Sequence, residues 1–347
     1  MNKKIEDFKH VAIIQTAFLG DVALSLYLAQ AIKVIYPSVE LTFVTTPSAS
    51  PLVACSTAVN NIITYDKRGL QTGLRGIKFV ANLLKDKKVD CIVSPHRSFR
   101  TTILSYFSKP QFSISFNKSA VSVLYSKRIN YLPHLHEIER NLSLLTGFSG
   151  LKFQSTPTVD LEFEDDDISF IDYKLYGLGV KEGEKIVLIA PGSIWNTKRW
   201  EEEYHFRLCS MLKEANCKVI LIGSKEDWEL CSRIAINSGV INFAGETTIP
   251  QTLVLMKKAS LTITNDSSPT HFAGLVGCPV ITIYGPTSPV FGFAPRGEKS
   301  RIIELNGLKC RPCTVHGSHK CPVNTHECMT HINPKTVFDS AKEILGI

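Results

Sequence analysis

Short apolar segments of strand length alternate with amphipathic helical segments along nearly the whole chain, and the alternation runs twice, either side of a break near residue 150. In the first half, 11–15, 41–45, 61–65 and 90–94 read as strands, with helices at 21–36, 70–85 and 99–107 and a closing helix at 134–145. In the second half, strands at 186–190, 218–222, 241–244, 261–264 and 280–284 are separated by helices at 202–214, 226–237, 250–258 and 269–276. Repeated strand–helix units with short links specify a parallel sheet covered on both faces. The expected fold class is therefore α/β. With 347 residues there is room for two such cores rather than one.

The break between the halves is compositional. Gly147, Gly150 and Pro157 precede an acidic run at 162–167, which reads as a surface connection. This sets an N-terminal domain at 1–155 and a C-terminal domain at 156–330, with a tail helix at 331–347 expected to pack back toward the N-terminal domain. Neither first strand is followed by a GxGxxG turn, which disfavours a nicotinamide enzyme. No apolar run approaches the ~18 to 20 residues that span a bilayer. The apolar stretch at 11–14 is too short for a signal-peptide core, so a cytoplasmic location is expected. Of ten cysteines, Cys55, Cys91, Cys209, Cys217, Cys231 and Cys278 lie in apolar segments and read as reduced and buried.

The net charge of +7 is unevenly spread. From Lys67 to Arg128 there are thirteen Lys/Arg against Asp86 and Asp90, a local +11, so the remainder carries −4. That asymmetry points to a polyanionic partner of the N-terminal half, although a plain solubilising face gives the same count.

Ligands of parallel sheets sit beyond the carboxyl ends of the strands, and four segments lie there. After the first strand, Gly20 allows a tight turn and Asp21 opens a helix, where the dipole favours its carboxylate. Asp21 is either a helix cap or a base for an attacking hydroxyl, and the second role needs desolvation to restore its basicity. Gly192-Ser193 and Thr197-Lys198-Arg199 follow the strand at 186–190, and supply amides, a hydroxyl and two cations suited to a leaving diphosphate without a metal ion. Trp195 and Trp200 beside them either stack on a ligand or pack. Asp266-Ser267-Ser268-Pro269 starts another helix with His271 in reach of the same anion. The turn Tyr284-Gly-Pro-Thr287 joins that site only if its strand is the neighbour.

Taken together, these segments resemble glycosyltransferase family nine, the ADP-heptose:lipopolysaccharide heptosyltransferases. Further pieces of the likeness are His96-Arg-Ser-Phe-Arg100, His136-Glu-Ile-Glu-Arg-Asn141, and the tail Cys310-Arg-Pro-Cys313 with Cys321-Pro322 and Cys328-Met329. The resemblance implies a GT-B fold, two Rossmann-like doubly wound domains facing a cleft, with acceptor on the N-terminal half and nucleotide sugar on the C-terminal half. It implies inverting, metal-independent transfer of heptose from ADP-heptose to an anionic lipid A–Kdo core at the cytoplasmic face of the inner membrane, with no cofactor. Asp21 takes the general-base position and Lys198 the diphosphate-neutralising one. Ser193, Thr197, Asp266, Ser267, Ser268 and His271 fall to the donor, and His96, Arg97 and Arg100 to the acceptor. The ribose-contacting acid is ambiguous within Lys225-Glu226-Asp227 and is assigned to Glu226. Ser268 stands where the family often has Gly.

Three other readings stay open on sequence alone: a GT-B enzyme using another nucleotide sugar, a non-catalytic nucleotide-sugar or glycolipid binder, and, for the basic half, a nucleic-acid binder. The last lacks any helix-turn-helix, finger or RNP pattern. Cys310, Cys313, Cys321 and Cys328 allow a structural zinc, though the second pair's spacing is not a standard zinc pattern.

Overall fold

The computed structural model describes residues 3–151 and 155–347; Met1, Asn2 and residues 152–154, the last just before the boundary placed at 155, lie outside the described residues. The chain divides into two compact units, 1–162 and 163–347.

The first unit is built on β1 (His10–Ile14), β2 (Glu40–Thr45), β3 (Asn61–Thr64), β4 (Cys91–Ser94), β5 (Phe112–Phe116) and β6 (Lys127–Ile129). They form one sheet in the order β3-β2-β1-β4-β5-β6, every pair parallel. Its helices are α1 (Leu19–Ile35), α2 (Ser50–Ala54), α3 (Gly73–Asp86), α4 (Phe99–Ser108) and α5 (Glu137–Ser143). In α3 the buried residues Ile77, Val80, Ala81 and Leu84 fall at i, i+3, i+4, i+7 and enter a core with Ile14, Val44, Ile92 and Leu104. Each such side chain contributes about 1.5–3 kcal/mol by leaving water. Residues 22–32 of α1 are buried all round, as a helix covered by α5 and α2 requires.

The second unit carries β7 (Ile186–Ala190), β8 (Lys218–Leu221), β9 (Ile241–Asn242), β10 (Leu261–Asn265), β11 (Val280–Tyr284) and β12 (Arg301–Glu304), ordered β12-β11-β10-β7-β8-β9 and again all parallel. Around it lie α6 (Asp165–Gly177), α7 (Glu202–Glu214), α8 (Trp228–Ser238), α9 (Ile249–Lys258), α10 (Ser268–Val276), α11 (Glu327–Thr330) and α12 (Pro334–Leu345). In each sheet the strand order reverses beside the first strand, between β1 and β4 and between β7 and β10. That switch point opens a crevice at the carboxyl ends of the strands.

Packing within each unit places the boundary segment, the acidic run and the tail helix. Segment 156–162 belongs with the first unit. Leu161 bridges Ser56, Glu162 N–H donates to the Cys55 carbonyl, and Gln30 exchanges two hydrogen bonds with Asp160. The acidic run is only partly a connection, since Asp165, Asp166 and Asp167 form the first turn of α6, where the helix dipole favours them. Val337, Ala341 and Leu345 sit in the core of the second unit with Leu208, Leu212 and Ile283, and α12 packs on α7.

Candidate active site

Both switch points carry the residues singled out from sequence. In the first unit the chain leaves β1 at Gln15 and enters α1 two residues before Asp21, so Gly20 is already helical. Gln15 holds this turn by accepting from Ala17 N–H (3.1 Å) and donating to Ser25 (3.2 Å), and Ser25 donates to the Asp21 carbonyl (2.8 Å). Asn141 of α5 donates to the same serine (3.4 Å). Burial raises the Asp21 carboxyl to about 6, opposed by the N–H groups of Phe18 and of Asp21 itself and by the charges of Arg97 and Arg140.

Across the switch point, the turn after β4 carries His96 and Arg97, and the first turn of α4 carries Arg100. His96 Nδ1 lies 3.1 Å from the Thr16 hydroxyl and 2.8 Å from that of Thr101. Burial, with Lys67 and Arg97 nearby, lowers its pKa to about 4, so the ring is neutral at physiological pH and orients rather than attracts. The Arg97 guanidinium lies over the Tyr131 ring at 4.1 Å; Arg140 lies over it at 5.1 Å and donates to the Tyr131 hydroxyl. Arg100 acts electrostatically on Tyr65 and Lys67.

Sequence reading missed several members of this cluster. Lys67 donates to the Thr16 carbonyl and feels the charge of Asp21. Glu137 pairs with Arg140 at 3.2 Å, and burial raises its pKa to about 7. Lys67 was visible only as one of thirteen cations, and Glu137 and Arg140 only as pieces of the His136–Asn141 likeness.

In the second unit, Lys198 ends a 3-10 turn, Asn196–Lys198, that follows β7. Its ammonium donates to Asp266 Oδ2 (2.6 Å) and to the Asp266 carbonyl (3.1 Å), with both side chains about nine-tenths buried. Thr287 donates to Asp266 Oδ2 as well (2.7 Å), because β11 is the neighbour of β10. Burying two charges is costly unless contact and further hydrogen bonds compensate, and here they do. Asn265 ties the loops together, donating to the Pro191 carbonyl (2.8 Å) and accepting from Trp200 N–H (3.1 Å).

The remaining donor candidates separate. Ser193 lies in the β7 loop, held by Arg199 Nε on its carbonyl (2.8 Å). Ser267 is the N-cap of α10 with no side-chain capping bond, and Ser268 is its first residue, so the helix start presents backbone donors. His271, buried in the same helix, has its ring 6.3 Å from that of Phe293. Glu226 is exposed, and the acid that lies against the β7 loop is its neighbour Asp227: a Cβ on Gly192 would meet Asp227 Oδ1 at 2.1 Å. The Thr197 hydroxyl is engaged by Ser318, donating to its carbonyl (2.8 Å) and accepting from its N–H (2.9 Å). Trp200 packs, donating to the Ile332 carbonyl (3.1 Å), whereas Trp195 lies by the His319 ring.

The Cys-rich loop thus grips the turn that carries Lys198. It also holds the Thr287 turn, through Cys313 N–H on the Pro286 carbonyl (2.8 Å) and Arg311 on the Thr287 carbonyl (2.8 Å). Cys310, Cys313, Cys321 and Cys328 line one small cavity of about 10 Å³. Among the described residues, no three His, Cys, Asp or Glu side chains form a group able to hold a metal ion. Cys313 Sγ points to the Cys310 carbonyl (3.1 Å), and Cys328 is buried in the hydrophobic core. The six scattered cysteines are buried, and none forms a disulfide among the described residues. No described helix is long and apolar enough to cross a membrane.

The family model described as glycosyltransferase family 9 (heptosyltransferase) matches residues 79–323. The chain is 28% identical over 308 residues to the lipopolysaccharide core heptosyltransferase OpsX of Haemophilus influenzae, covering 86% of this chain and 84% of that one. The structure of a family 9 glycosyl transferase from Veillonella parvula superposes with a TM-score of 0.89 at 18% identity, covering 99% and 98% of the two chains. The ADP-heptose LPS heptosyltransferase II of E. coli superposes at 0.79 with 21% identity, covering 97% and 98%. Two Rossmann-like sheets of the GT-B class, a match over most of the chain, and the residues gathered at both switch points lead to one conclusion: this chain is a glycosyltransferase and belongs to glycosyltransferase family 9.

Proposed function

We propose that the enzyme transfers heptose from ADP-heptose to the anionic Kdo/heptose inner core of lipopolysaccharide, with inversion and without a metal ion, as a peripheral protein of the inner face of the inner membrane. The observation that carries the reading is the buried Lys198 ammonium held on Asp266 beside the amide-bearing start of α10. A cation fixed there, next to helix N–H groups, supplies the positive field that a departing diphosphate needs. An arriving donor then takes over the ammonium, freeing Asp266 for sugar hydroxyls. Ser193, Ser267, Ser268 and His271 complete the donor set, with Glu226 at its ribose end, and Thr197 serves by fixing the Lys198 turn through Ser318.

On the acceptor side, Asp21 removes the proton of the attacking hydroxyl as the glycosidic bond forms. Its raised pKa suits that task, since a base near neutrality combines ionisation at working pH with proton affinity. Arg97 and Arg100 draw the anionic acceptor, and neutral His96 orders the loop through Thr16 and Thr101. A binding protein without catalysis has no use for such a base, which counts against the scaffold reading.

A donor screen with a deacylated core acceptor, read by product mass, tests the assignment. ADP-heptose is expected to give one added heptose, with the anomeric configuration inverted, and turnover is expected to survive chelation. Lys198→Ala should lower kcat by about 10²–10³-fold. Wild-type turnover in that variant, or transfer from another nucleotide sugar only, removes the proposal.

A further inference from the structure

Sugar transfer uses the Lys198 turn but none of the four thiols behind it. Cys310, Cys313, Cys321 and Cys328 line one cavity with Thr197 and Pro286, and its volume of about 10 Å³ has room for about one water. The thiols are not equivalent. Burial pushes Cys313 up, and burial with the neighbouring Cys313 pushes Cys328 up to about 11. Cys321 goes the other way: burial raises it, but the N–H groups of His326, Val323, Thr325 and Asn324 together outweigh that and lower its pKa. These amides converge on one sulfur because Asn324 and His326 adopt left-handed φ of 57° and 53°, which folds the segment after Cys321 into a concave nest. Cys321 is only half-buried, so a thiolate held in that nest is open to reagents in solution, and the thiolate is the nucleophilic form.

Cys313 and Cys321 bracket the segment that grips the Lys198 turn. Between them, Ser318 exchanges two hydrogen bonds with Thr197 (2.8 and 2.9 Å), and the His319 ring lies 5.0 Å from that of Trp195. On one flank Cys313 N–H holds the Pro286 carbonyl (2.8 Å), next to the Thr287 that bonds Asp266. On the other, His326 Nε2 lies 2.9 Å from the Thr197 carbonyl. Cys321 also acts electrostatically on Cys313 across the cavity. A bond between these two sulfurs closes the gripping segment into a ring and draws both flanks inward.

We propose that Cys321 and Cys313 form a thiol–disulfide site that reacts with low-molecular-weight disulfides and displaces the Lys198 turn when oxidised. The Cys321 thiolate attacks one sulfur of the small disulfide, whose S–S bond breaks, and the departing thiolate takes a proton from solvent. Cys313, giving its proton to solvent, then attacks Cys321 Sγ and expels the second small thiol. Two protein thiols are oxidised to one disulfide, and the small disulfide is reduced to two thiols. None of this chemistry depends on sugar transfer, and the bond is read without donor or acceptor, so it stands or fails separately from the reading above.

The test is incubation of the full chain, reduced and freed of reductant, with glutathione disulfide at pH 8, followed by acid quench, alkylation and peptide mapping by mass. The wild type is expected to form the Cys313–Cys321 disulfide. Cys313→Ser should stop with one glutathione on Cys321, and Cys321→Ser should do neither while keeping the melting temperature and turnover of the reduced wild type. In the oxidised wild type, backbone hydrogen exchange across residues 195–199 should quicken. Its kcat should fall about tenfold or more, as a displaced catalytic group requires, and dithiothreitol should restore both. Absence of reaction, a Cys310–Cys313 bond instead, or a glutathione adduct that survives Cys321→Ser overturns the proposal. So does unchanged exchange of the Lys198 turn in the oxidised chain, or one metal ion per chain in the purified protein by elemental analysis, which would make the thiolates ligands.

Discussion

Asp21 stands in the first turn of a helix, where the dipole and two N–H groups favour its charge, yet burial outweighs them and leaves its pKa at about 6. In the proposed role the ionised form is the base, so kcat/KM should rise with pH through about 6 and level off above it, and Asp21→Asn should lower turnover by about 10²–10⁴-fold at pH 8. The same shift costs stability. The folded chain holds the Asp21 proton more tightly than the unfolded chain, whose carboxyl titrates near 3.8, so the folded state loses stability as pH rises from about 4 to about 6. Asp21→Asn should therefore melt higher than the wild type at pH 8, by an amount worth about 3 kcal/mol, and no higher at pH 3.5. A variant that is inactive but no more stable at pH 8 would show that the carboxyl is not desolvated. Glu137, raised to about 7 by burial, adds a contribution of the same sign over a higher window, so the two acids are best separated in single variants.

The elements legible in the sequence are those whose pattern is local. Strands 186–190 and 280–284 and helix 202–214 form where continuous apolar runs or 3.6-residue periodicity put them. The strands not read are β5, with serines at Ser113 and Ser115 among its buried residues, and the sheet-edge strands β6 and β12, which are short and partly charged. Edge strands need no continuous apolar run, so pattern reading passes them by. Sequence likewise picked out the turns bearing Asp21, Lys198 and Asp266, because each follows a readable strand. It could not show that Asp266 pairs with Lys198, 68 residues away, or that Thr287 joins them, since strand order decides both. Nor did it show what the Cys-rich loop does. Gly317, with φ of +89°, lets that loop lie on the Lys198 turn: a Cβ there would meet Trp195 Cβ at 3.0 Å and Lys198 Cγ at 3.1 Å. Gly317→Ala should displace Lys198 and lower kcat about tenfold or more, on top of the roughly 1 kcal/mol that a side chain pays at positive φ. Gly307→Ala is the control, with φ of +84° and nothing within 4 Å, and should show the stability loss alone. Equal activity of the two variants would mean that the loop does not position the lysine.

At the scale of the whole molecule, charge and packing divide the chain differently from its sequence punctuation. The stretch from Lys67 to Arg128 holds +11 while the rest holds −4, so raising ionic strength should increase the KM for an anionic acceptor several-fold between about 0.05 and 0.3 M salt, with a smaller change for the donor, whose diphosphate in the proposed reading meets the buried Lys198. Steady-state titrations of each substrate at several salt concentrations check this, and equal sensitivity of both constants would count against separate acceptor and donor surfaces. Packing places the division at Glu162, seven residues later than composition does, because 155–162 is stitched to the first unit by side chains and backbone alike. Val159 is buried, Asp160 exchanges two hydrogen bonds with Gln30 and accepts another from Thr57 N–H, and Glu162 N–H donates to the Cys55 carbonyl. A chain ending at 155 lacks these four bonds, each contributing about 0.5–1.5 kcal/mol, and the buried valine. A fragment of residues 1–162 should therefore be more stable to urea than one of residues 1–155, by about 2–4 kcal/mol. Coincident unfolding midpoints would place the end of the N-terminal unit before Ser56 meets Leu161 and make that bridge incidental.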